Sequence, residues 1–115
     1  MGILSTLFPP STTAAAAHEA AKQRRLVILD VRERNEWKAG HAPGSKNIPL
    51  SKLRSRVREL PTDRRYAAVC RSGSRSRSAT AQLRRAGLDV VNIKGGMNAW
   101  RRAALPLEPR NGRVI

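Results

Sequence analysis

The sequence predicts a single α/β domain built on a mainly parallel sheet, and two observations carry this prediction. Three short apolar runs, at residues 26–31, 66–70 and 90–93, have the continuous character of strands buried on both faces. Segments with helical spacing of apolar residues separate these runs, so strands and helices alternate along the chain. A length of 115 residues is enough for one such domain with one core.

The N-terminal part of the chain is predicted to contain a tail, one helix and the first strand. Residues 1–10 end in two consecutive prolines, which favour an irregular segment. Residues 13–23 are rich in alanine, and Ser11 or Thr12 is predicted to cap a helix there, because their hydroxyls accept unpaired backbone N–H groups. The organisation is therefore predicted as an N-terminal tail 1–10, one domain 11–108 and a C-terminal tail 109–115.

Short helices and strands separated by turns are predicted for the rest of the chain. Ser51 is expected to cap one of the helices and Pro61 to end it. A longer helix is expected to place Ala79, Leu83 and Ala86 on one face. Besides the strands already given, the predicted elements are a helix at 33–40, a brief strand at 47–48, and helices at 51–60, 75–87 and 95–103.

The chain is strongly basic. It has 23 lysines and arginines against 8 aspartates and glutamates, so its formal net charge is +15. Such a charge attracts anions, which include small oxyanions, nucleic acid and anionic lipid. Nucleic-acid recognition by stacking is disfavoured because aromatic residues make up only 3% of the chain. A contact to nucleic-acid phosphates alone stays open as the less favoured partner.

Cysteine usage and hydropathy exclude several classes of protein. One cysteine allows no internal disulfide and, with only two histidines, argues against a structural zinc site, so no metal or other cofactor is predicted. No apolar run approaches the roughly 20 residues that span a bilayer, and the first residues lack the positive charges that begin a signal peptide. A cytoplasmic protein without a membrane partner is therefore predicted.

The single cysteine lies in the stretch "CRSGSRS", residues 70–76. Cys70 ends a predicted buried strand and a helix is predicted to begin near Arg75, so the loop lies at the carboxyl end of the sheet, where open α/β sheets bind ligands. Gly73 permits unusual backbone angles, and the loop can direct successive N–H groups at an anion. The helix N-terminus and the arginines favour a thiolate. This composition indicates a nucleophile outside the core rather than a buried structural cysteine.

Four motifs in this order resemble those of the single-domain rhodaneses, a family of sulfurtransferases: "LDVRERNEW", "GHAPGSKNIPL", "VCRSGSRS" and "GGMNAW". The resemblance covers residues 13–107. It implies a rhodanese-like α/β fold with about five mostly parallel strands and helices on both faces. It also implies an enzyme that takes a sulfane sulfur from a small anionic donor such as thiosulfate. The acceptor would be cyanide or a thiol, carried by a small molecule or a carrier protein.

The resemblance also assigns roles to individual residues. Cys70 would be the nucleophile that becomes a persulfide, while Asp30 and Arg32 would brace its loop. The backbone amides of the loop and the Arg75 side chain would stabilise the persulfide and the departing sulfite. The anion-binding loop implied in this way consists of Arg71, Ser72, Gly73, Ser74 and Arg75.

Two other functions stay open on the sequence. A basic binding or regulatory module that keeps the fold is one alternative, although such modules usually lack the cysteine that is present here as Cys70. A phosphatase or arsenate reductase is the other. The related group with those activities has a loop one residue longer, which fits a tetrahedral anion, whereas the six residues 70–75 better fit one added sulfur atom.

The remaining polar and aromatic residues of the motifs are expected to have structural roles. His41 is expected to bond to the backbone in a turn, and Glu33 and Glu36 to cap the next helix and pair with arginines. His18 is expected to be solvent-exposed. Trp37 and Trp100 are expected to pack at or near the core.

Overall fold

A computed structural model describes residues 9–115 of the chain. Most of the predicted N-terminal tail, residues 1–8, lies outside the described residues. Each described pair of neighbouring strands is parallel, and the strand order is β1-β5-β4-β2-β3. The strands are β1 (Ser11–Thr12), β2 (Val27–Asp30), β3 (Lys46–Asn47), β4 (Arg65–Val69) and β5 (Asp89–Ile93).

Helices cover both faces of this sheet, as the resemblance to rhodaneses implies. Single 3₁₀ turns at Leu50–Lys52 and Val57–Glu59 flank a short α-helix at Leu53–Arg56. The α-helices are α1 (Ala14–Lys22), α2 (Arg34–Ala39), α3 (Leu53–Arg56), α4 (Ser74–Arg85) and α5 (Gly96–Arg102).

The core consists of two apolar layers, one on each face of the sheet. Successive side chains of a strand point to opposite faces. In β4, Tyr66 and Ala68 therefore pack with residues of α3 and α4, while Ala67 and Val69 pack with residues of α1 and α5. This explains why residues 66–70 are apolar without interruption, and the predicted fold class is confirmed.

The predicted start of helix α1 is wrong by one or two residues. Thr13 caps the helix, since its Oγ1 accepts the N–H of Ala16 at 3.1 Å. Ser11 and Thr12 instead form the edge strand β1 and pair with β5. The open edge of β5 offers unpaired backbone groups, and pairing with them satisfies more hydrogen bonds than a helix cap would.

Two details of the predicted middle helices are also wrong. The segment 51–60 is not one α-helix capped by Ser51, because a 3₁₀ turn lies on each side of a short α-helix. Leu53 and Leu60 of this segment are buried. Ala86 is exposed, because α4 ends at Arg85 and the chain turns away. Leu88 occupies the buried place beyond the turn.

The C-terminal residues lie against helix α2 and the turn after it. His41 and Glu108 exchange both backbone hydrogen bonds, at 2.9 and 2.8 Å. The N–H of Arg113 donates to the carbonyl of Ala39 at 2.8 Å. Residues of the predicted tail thus contact the domain, and the boundary at residue 108 stays a prediction. Within residues 9–115, no helix has both the length and the apolar character needed to cross a membrane.

Candidate active site

Cys70 directly follows β4 at the carboxyl edge of the sheet, where the sequence predicts it. Its side chain is fully buried and packs in the apolar layer beneath α3 and α4. The expectation that this cysteine lies outside the core is therefore wrong. Cys70 continues the inward series of Tyr66 and Ala68, and the loop folds over it, held by helix α5.

Two groups donate hydrogen bonds to the buried sulfur. The backbone N–H of Gly73 lies 3.1 Å from Cys70 Sγ, and the Ser76 hydroxyl lies 3.4 Å from it. Gly73 has a φ of 115°, which residues with a side chain rarely adopt, and this angle turns its N–H back toward the sulfur. The sulfur thus lies in a polar pocket inside an otherwise apolar layer.

Ser76 is a residue that the sequence analysis missed. Its hydroxyl has one hydrogen and three acceptors within reach: Cys70 Sγ, the Gly73 carbonyl at 3.2 Å and Asn92 Oδ1 at 2.6 Å. Asn92, also missed, comes from β5, so the Ser76 hydroxyl links the sulfur to the neighbouring strand. The available signal for Ser76 was its position on the inward face of α4, one turn before the buried Thr80.

Helix α5 holds the first two residues of the loop. The N–H groups of Met97 and Asn98 donate to the carbonyls of Cys70 and Arg71 at 2.8 and 3.0 Å. Gly96 makes this close approach possible, since a Cβ there would lie 2.6 Å from the Arg71 carbonyl oxygen. The motif "GGMNAW" therefore acts as a support for the cysteine loop.

The N-terminus of helix α4 points its free amides at the loop. Gly73 is the N-cap and supplies no side-chain cap, and the first helical bond at this end runs from the Arg77 N–H to the Gly73 carbonyl. The amides of the preceding turn have no intrahelical acceptors. They add partial positive charge next to the sulfur.

Arg75 is bound to a carboxylate. Its guanidinium makes a bidentate contact with Glu36 of α2, at 2.8 and 3.0 Å, and the two side chains are 35% and 16% exposed. The hydrogen bonds from Arg75 are the main cause that lowers the pKa of Glu36, and the same bonds raise the pKa of Arg75. The expected pairing of Glu36 with an arginine is confirmed, and this pair ties α2 to the loop.

The other residues of the loop are exposed, whereas the charged residues of the "DVR" motif are buried. Arg71, Ser72 and Ser74 are exposed at the surface of the loop. Asp30 and Arg32 are fully buried and joined by a 2.7 Å contact, and Arg32 also donates to the Gly40 carbonyl. This pair fixes the turn after α2, while the backbone N–H of Val31 beside it donates to Val69, the residue before Cys70.

His41 lies away from the sulfur and has the structural role expected of it. Its Nδ1 donates to the Trp37 carbonyl at 2.6 Å, and the two rings stack with centroids 3.7 Å apart. His18 is half-buried against the edge of Trp100, so the expectation that it is solvent-exposed is wrong. In the part of the chain that the structure describes, no group of three or more His, Cys, Asp or Glu residues is arranged for a metal ion.

Comparison with known proteins agrees with this geometry. A family model described as the rhodanese-like domain matches residues 13–103. A crystal structure of a rhodanese-related protein from Thermoplasma volcanium has a TM-score of 0.81 and 37% identity, over 85% of this chain and 96% of that chain. The chain belongs to the rhodanese-like family.

Curated relatives include proteins named as sulfurtransferases. A sulfurtransferase of Allochromatium vinosum is 35% identical over 88 residues, which are 76% of this chain and 82% of that protein. The uncharacterized protein YqhL of Bacillus subtilis is 41% identical over 81 residues, which are 70% of this chain and 64% of YqhL. The chain therefore spans less than two thirds of YqhL, and its relatives place it in a family that includes sulfurtransferases.

Proposed function

We propose that this protein is a sulfurtransferase that carries a sulfane sulfur as a persulfide on Cys70. The observation that carries the proposal is the setting of the Cys70 sulfur. It accepts a hydrogen bond from the Gly73 N–H and one from the Ser76 hydroxyl, at the carboxyl edge of a parallel sheet and below the free amides of α4. Membership of a family that includes sulfurtransferases supports it.

The proposed reaction has two displacement steps. The Cys70 thiolate attacks the outer sulfur of thiosulfate or a similar donor, the S–S bond of the donor breaks, and sulfite leaves with the electron pair. The acceptor thiolate, or cyanide, then attacks the outer sulfur of the persulfide. The bond between that sulfur and Sγ breaks, and the electron pair returns to Sγ as the thiolate.

The groups around the sulfur stabilise the negative charge that each step moves. The Gly73 N–H and the Ser76 hydroxyl donate to a thiolate more strongly than to a thiol. The free amides of α4 are placed to receive the charge of the persulfide. Arg75, held by Glu36, positions the loop, while the net charge of +15 attracts an anionic donor.

The mechanism has two requirements: a donor must reach the Cys70 sulfur, and an acceptor must then remove the added sulfur atom. Cys70 is fully buried, so the loop around it must open for a donor to reach the sulfur. The chain has one cysteine, so the persulfide is discharged by an external acceptor, a small thiol or a thiol on a carrier protein.

The test is intact mass of the purified protein before and after thiosulfate, with and without cyanide. We expect a gain of one sulfur atom, its removal by cyanide, and no gain in Cys70→Ser. A Cys70→Ser variant that transfers sulfur as fast as the native protein contradicts the proposal. RNA binding that salt weakens and Cys70→Ser leaves unchanged, without any sulfur uptake, supports the binding-module alternative instead.

A further inference from the structure

The edge of the sheet opposite the cysteine loop carries a dense group of arginines. Strands β2, β4 and β5 are parallel neighbours, so the segments that lead into them meet at this amino edge of the sheet. Each of these three segments contains two consecutive arginines, and all of them are exposed. We call this group the arginine edge: Arg24, Arg25, Arg64, Arg65, Arg84 and Arg85.

Carboxylates neutralise only part of the arginine edge. Asp89, the first residue of β5, lies 3.7 Å from Arg65 and 4.0 Å from Arg84. The other arginines of the edge form no ion pair with a described residue, which leaves their guanidinium groups available to an anion. They are Arg24, Arg25, Arg64 and Arg85.

The backbone of Arg24 gives an independent indication that this edge has a function. Arg24 follows the C-cap of α1 and has a φ of 57°. The N–H groups of Arg24 and Arg25 donate to the carbonyls of Ala21 and Ala20, at 3.0 and 2.8 Å. Glycine is the usual residue at this position of such a helix end, because a Cβ strains the backbone at positive φ. Strain of this kind is concentrated at functional sites.

The arginine edge is too wide to be filled by one small anion. Helices α1 and α4 pack on opposite faces of the sheet, since their buried residues belong to different apolar layers. Their C-terminal ends, which carry Arg24 and Arg85, are therefore separated by more than the width of one helix, about 10 Å. Arg64 leads into the strand β4 that lies between β2 and β5. The arrangement fits charges that are spaced along a polymer.

We propose that the arginine edge binds the phosphate backbone of a double-stranded nucleic acid. Every cation of the edge is an arginine, whose guanidinium binds a phosphate through two parallel hydrogen bonds. A duplex carries one negative charge about every 1.7 Å along its axis, so several arginines are paired at once. Tyr66, the aromatic residue next to Arg65, is buried, so stacking on single-stranded bases is not available there.

Two other anionic partners fit the arginine edge less well. A carrier protein that exchanges sulfur has to reach Cys70, which lies at the opposite edge of the sheet. Peripheral binding to a membrane uses apolar side chains that insert beside the cations. The segments of the arginine edge contain no exposed large hydrophobic residue, since Leu26 and Leu88 are buried. The proposal goes beyond sulfur transfer and does not depend on it.

The test measures binding of a short fluorescein-labelled RNA duplex of mixed sequence to the native chain, by fluorescence anisotropy at several salt concentrations. Four arginines that contact phosphates predict a slope of about −4 for the logarithm of the binding constant against that of the salt concentration. Arg85→Gln should weaken binding about fivefold or more near 0.1 M salt and reduce the slope by about 1. Arg77→Gln is the matched control, because it removes the same charge from an exposed position near the start of the same helix.

Arg24→Gly separates binding from folding. Glycine relieves the strain of the positive φ, so we expect the urea midpoint of this variant to stay unchanged or to rise. Its affinity for the duplex should nevertheless fall about as much as that of Arg85→Gln. An unchanged affinity, or a lower midpoint that accounts for the loss of binding, contradicts the role assigned to Arg24.

Two further results would overturn the proposal. One is an equal loss of affinity in Arg77→Gln and Arg85→Gln, which indicates general attraction to a basic protein. The other is binding to phosphatidylserine vesicles but not to the duplex, which assigns the edge to a membrane surface. We expect Arg24→Gly and Arg85→Gln to take up sulfur normally, and Cys70→Ser to bind the duplex normally. The failure of this proposal and the failure of the proposed function are therefore distinguishable.

Discussion

The Ser76 hydroxyl joins the Cys70 sulfur to strand β5 through Asn92. Its oxygen lies 2.6 Å from Asn92 Oδ1 and 3.4 Å from Cys70 Sγ, and its single hydrogen can be donated to only one of them at a time. A thiolate is a far stronger acceptor, so ionisation of Cys70 draws the hydrogen toward sulfur. The residue therefore responds to the charge state that the proposed reaction changes in each cycle.

Ser76→Ala is expected to slow persulfide formation about tenfold or more, because a hydrogen bond to a charged group is lost. Ser78→Ala is the matched control, since Ser78 is exposed on the same helix. The measurement is the rate of sulfur uptake from thiosulfate by mass spectrometry, at several pH values. Equal rates in the two variants contradict a role for the Ser76 hydroxyl at the sulfur.

At the scale of secondary-structure elements, the start of helix α5 supports the cysteine loop. Gly96→Ala places a methyl group against the Cys70 and Arg71 carbonyls, at a backbone φ of 57°. We expect a loss of stability from the strained backbone of about 1 kcal/mol. A further 1–3 kcal/mol, roughly, is expected from overpacking, together with reduced sulfur uptake.

Gly87→Ala separates these two contributions. Gly87 also has a positive φ, 94°, but nothing lies within 4 Å of a Cβ built there. The Gly87→Ala variant should therefore be destabilised by backbone strain alone. Urea denaturation measures both variants, and equal losses would show that the contact with the loop carbonyls is not important.

The ion pair between α2 and α4 predicts a pH dependence of stability. Arg75 lowers the pKa of Glu36 in the folded protein, so the pair stabilises the fold above the unfolded pKa near 4.5. This contribution is lost as the pH falls through the lower folded pKa. Because both side chains are partly exposed, we expect Glu36→Gln to cost about 1 kcal/mol or less at neutral pH.

Denaturation near neutral pH and at about pH 3 measures this effect. The difference between the native protein and Glu36→Gln should be largest near neutrality and should vanish in acid. Asp63→Asn, an exposed change at a residue without an ion pair among the described residues, should show no such trend. A constant difference across this range contradicts the assignment.

Secondary-structure elements were predictable where consecutive residues carry the signal. The candidate active site was predictable only in part. Continuous apolar runs predicted strands β2, β4 and β5, and "CRSGSRS" predicted a cysteine loop before a helix. Ser76 and Asn92 were missed because their contact depends on how helix α4 packs against strand β5, and the two residues are 16 positions apart in the sequence. The burial of Cys70 was missed because the loop folds over it through bonds from α5, which the composition of the loop does not indicate.

At the scale of the whole molecule, the net charge of +15 opposes the compact state. Raising NaCl from about 0.01 M to about 0.1 M shortens the screening length from about 30 Å to about 10 Å. We expect the melting temperature to rise by several degrees. The double variant Arg64→Glu and Arg85→Glu should show a flatter response, and a melting temperature that does not change with salt contradicts the prediction.

The burial of Cys70 also affects how readily the protein is oxidised in air. A disulfide between two copies needs their sulfur atoms about 2 Å apart, and in each copy the loop covers the sulfur. Both loops would have to open at once, in two molecules that repel each other strongly. We therefore expect a solution of the protein to stay free of covalent dimers without added reductant, while reagents small enough to enter one open loop should still modify the thiol.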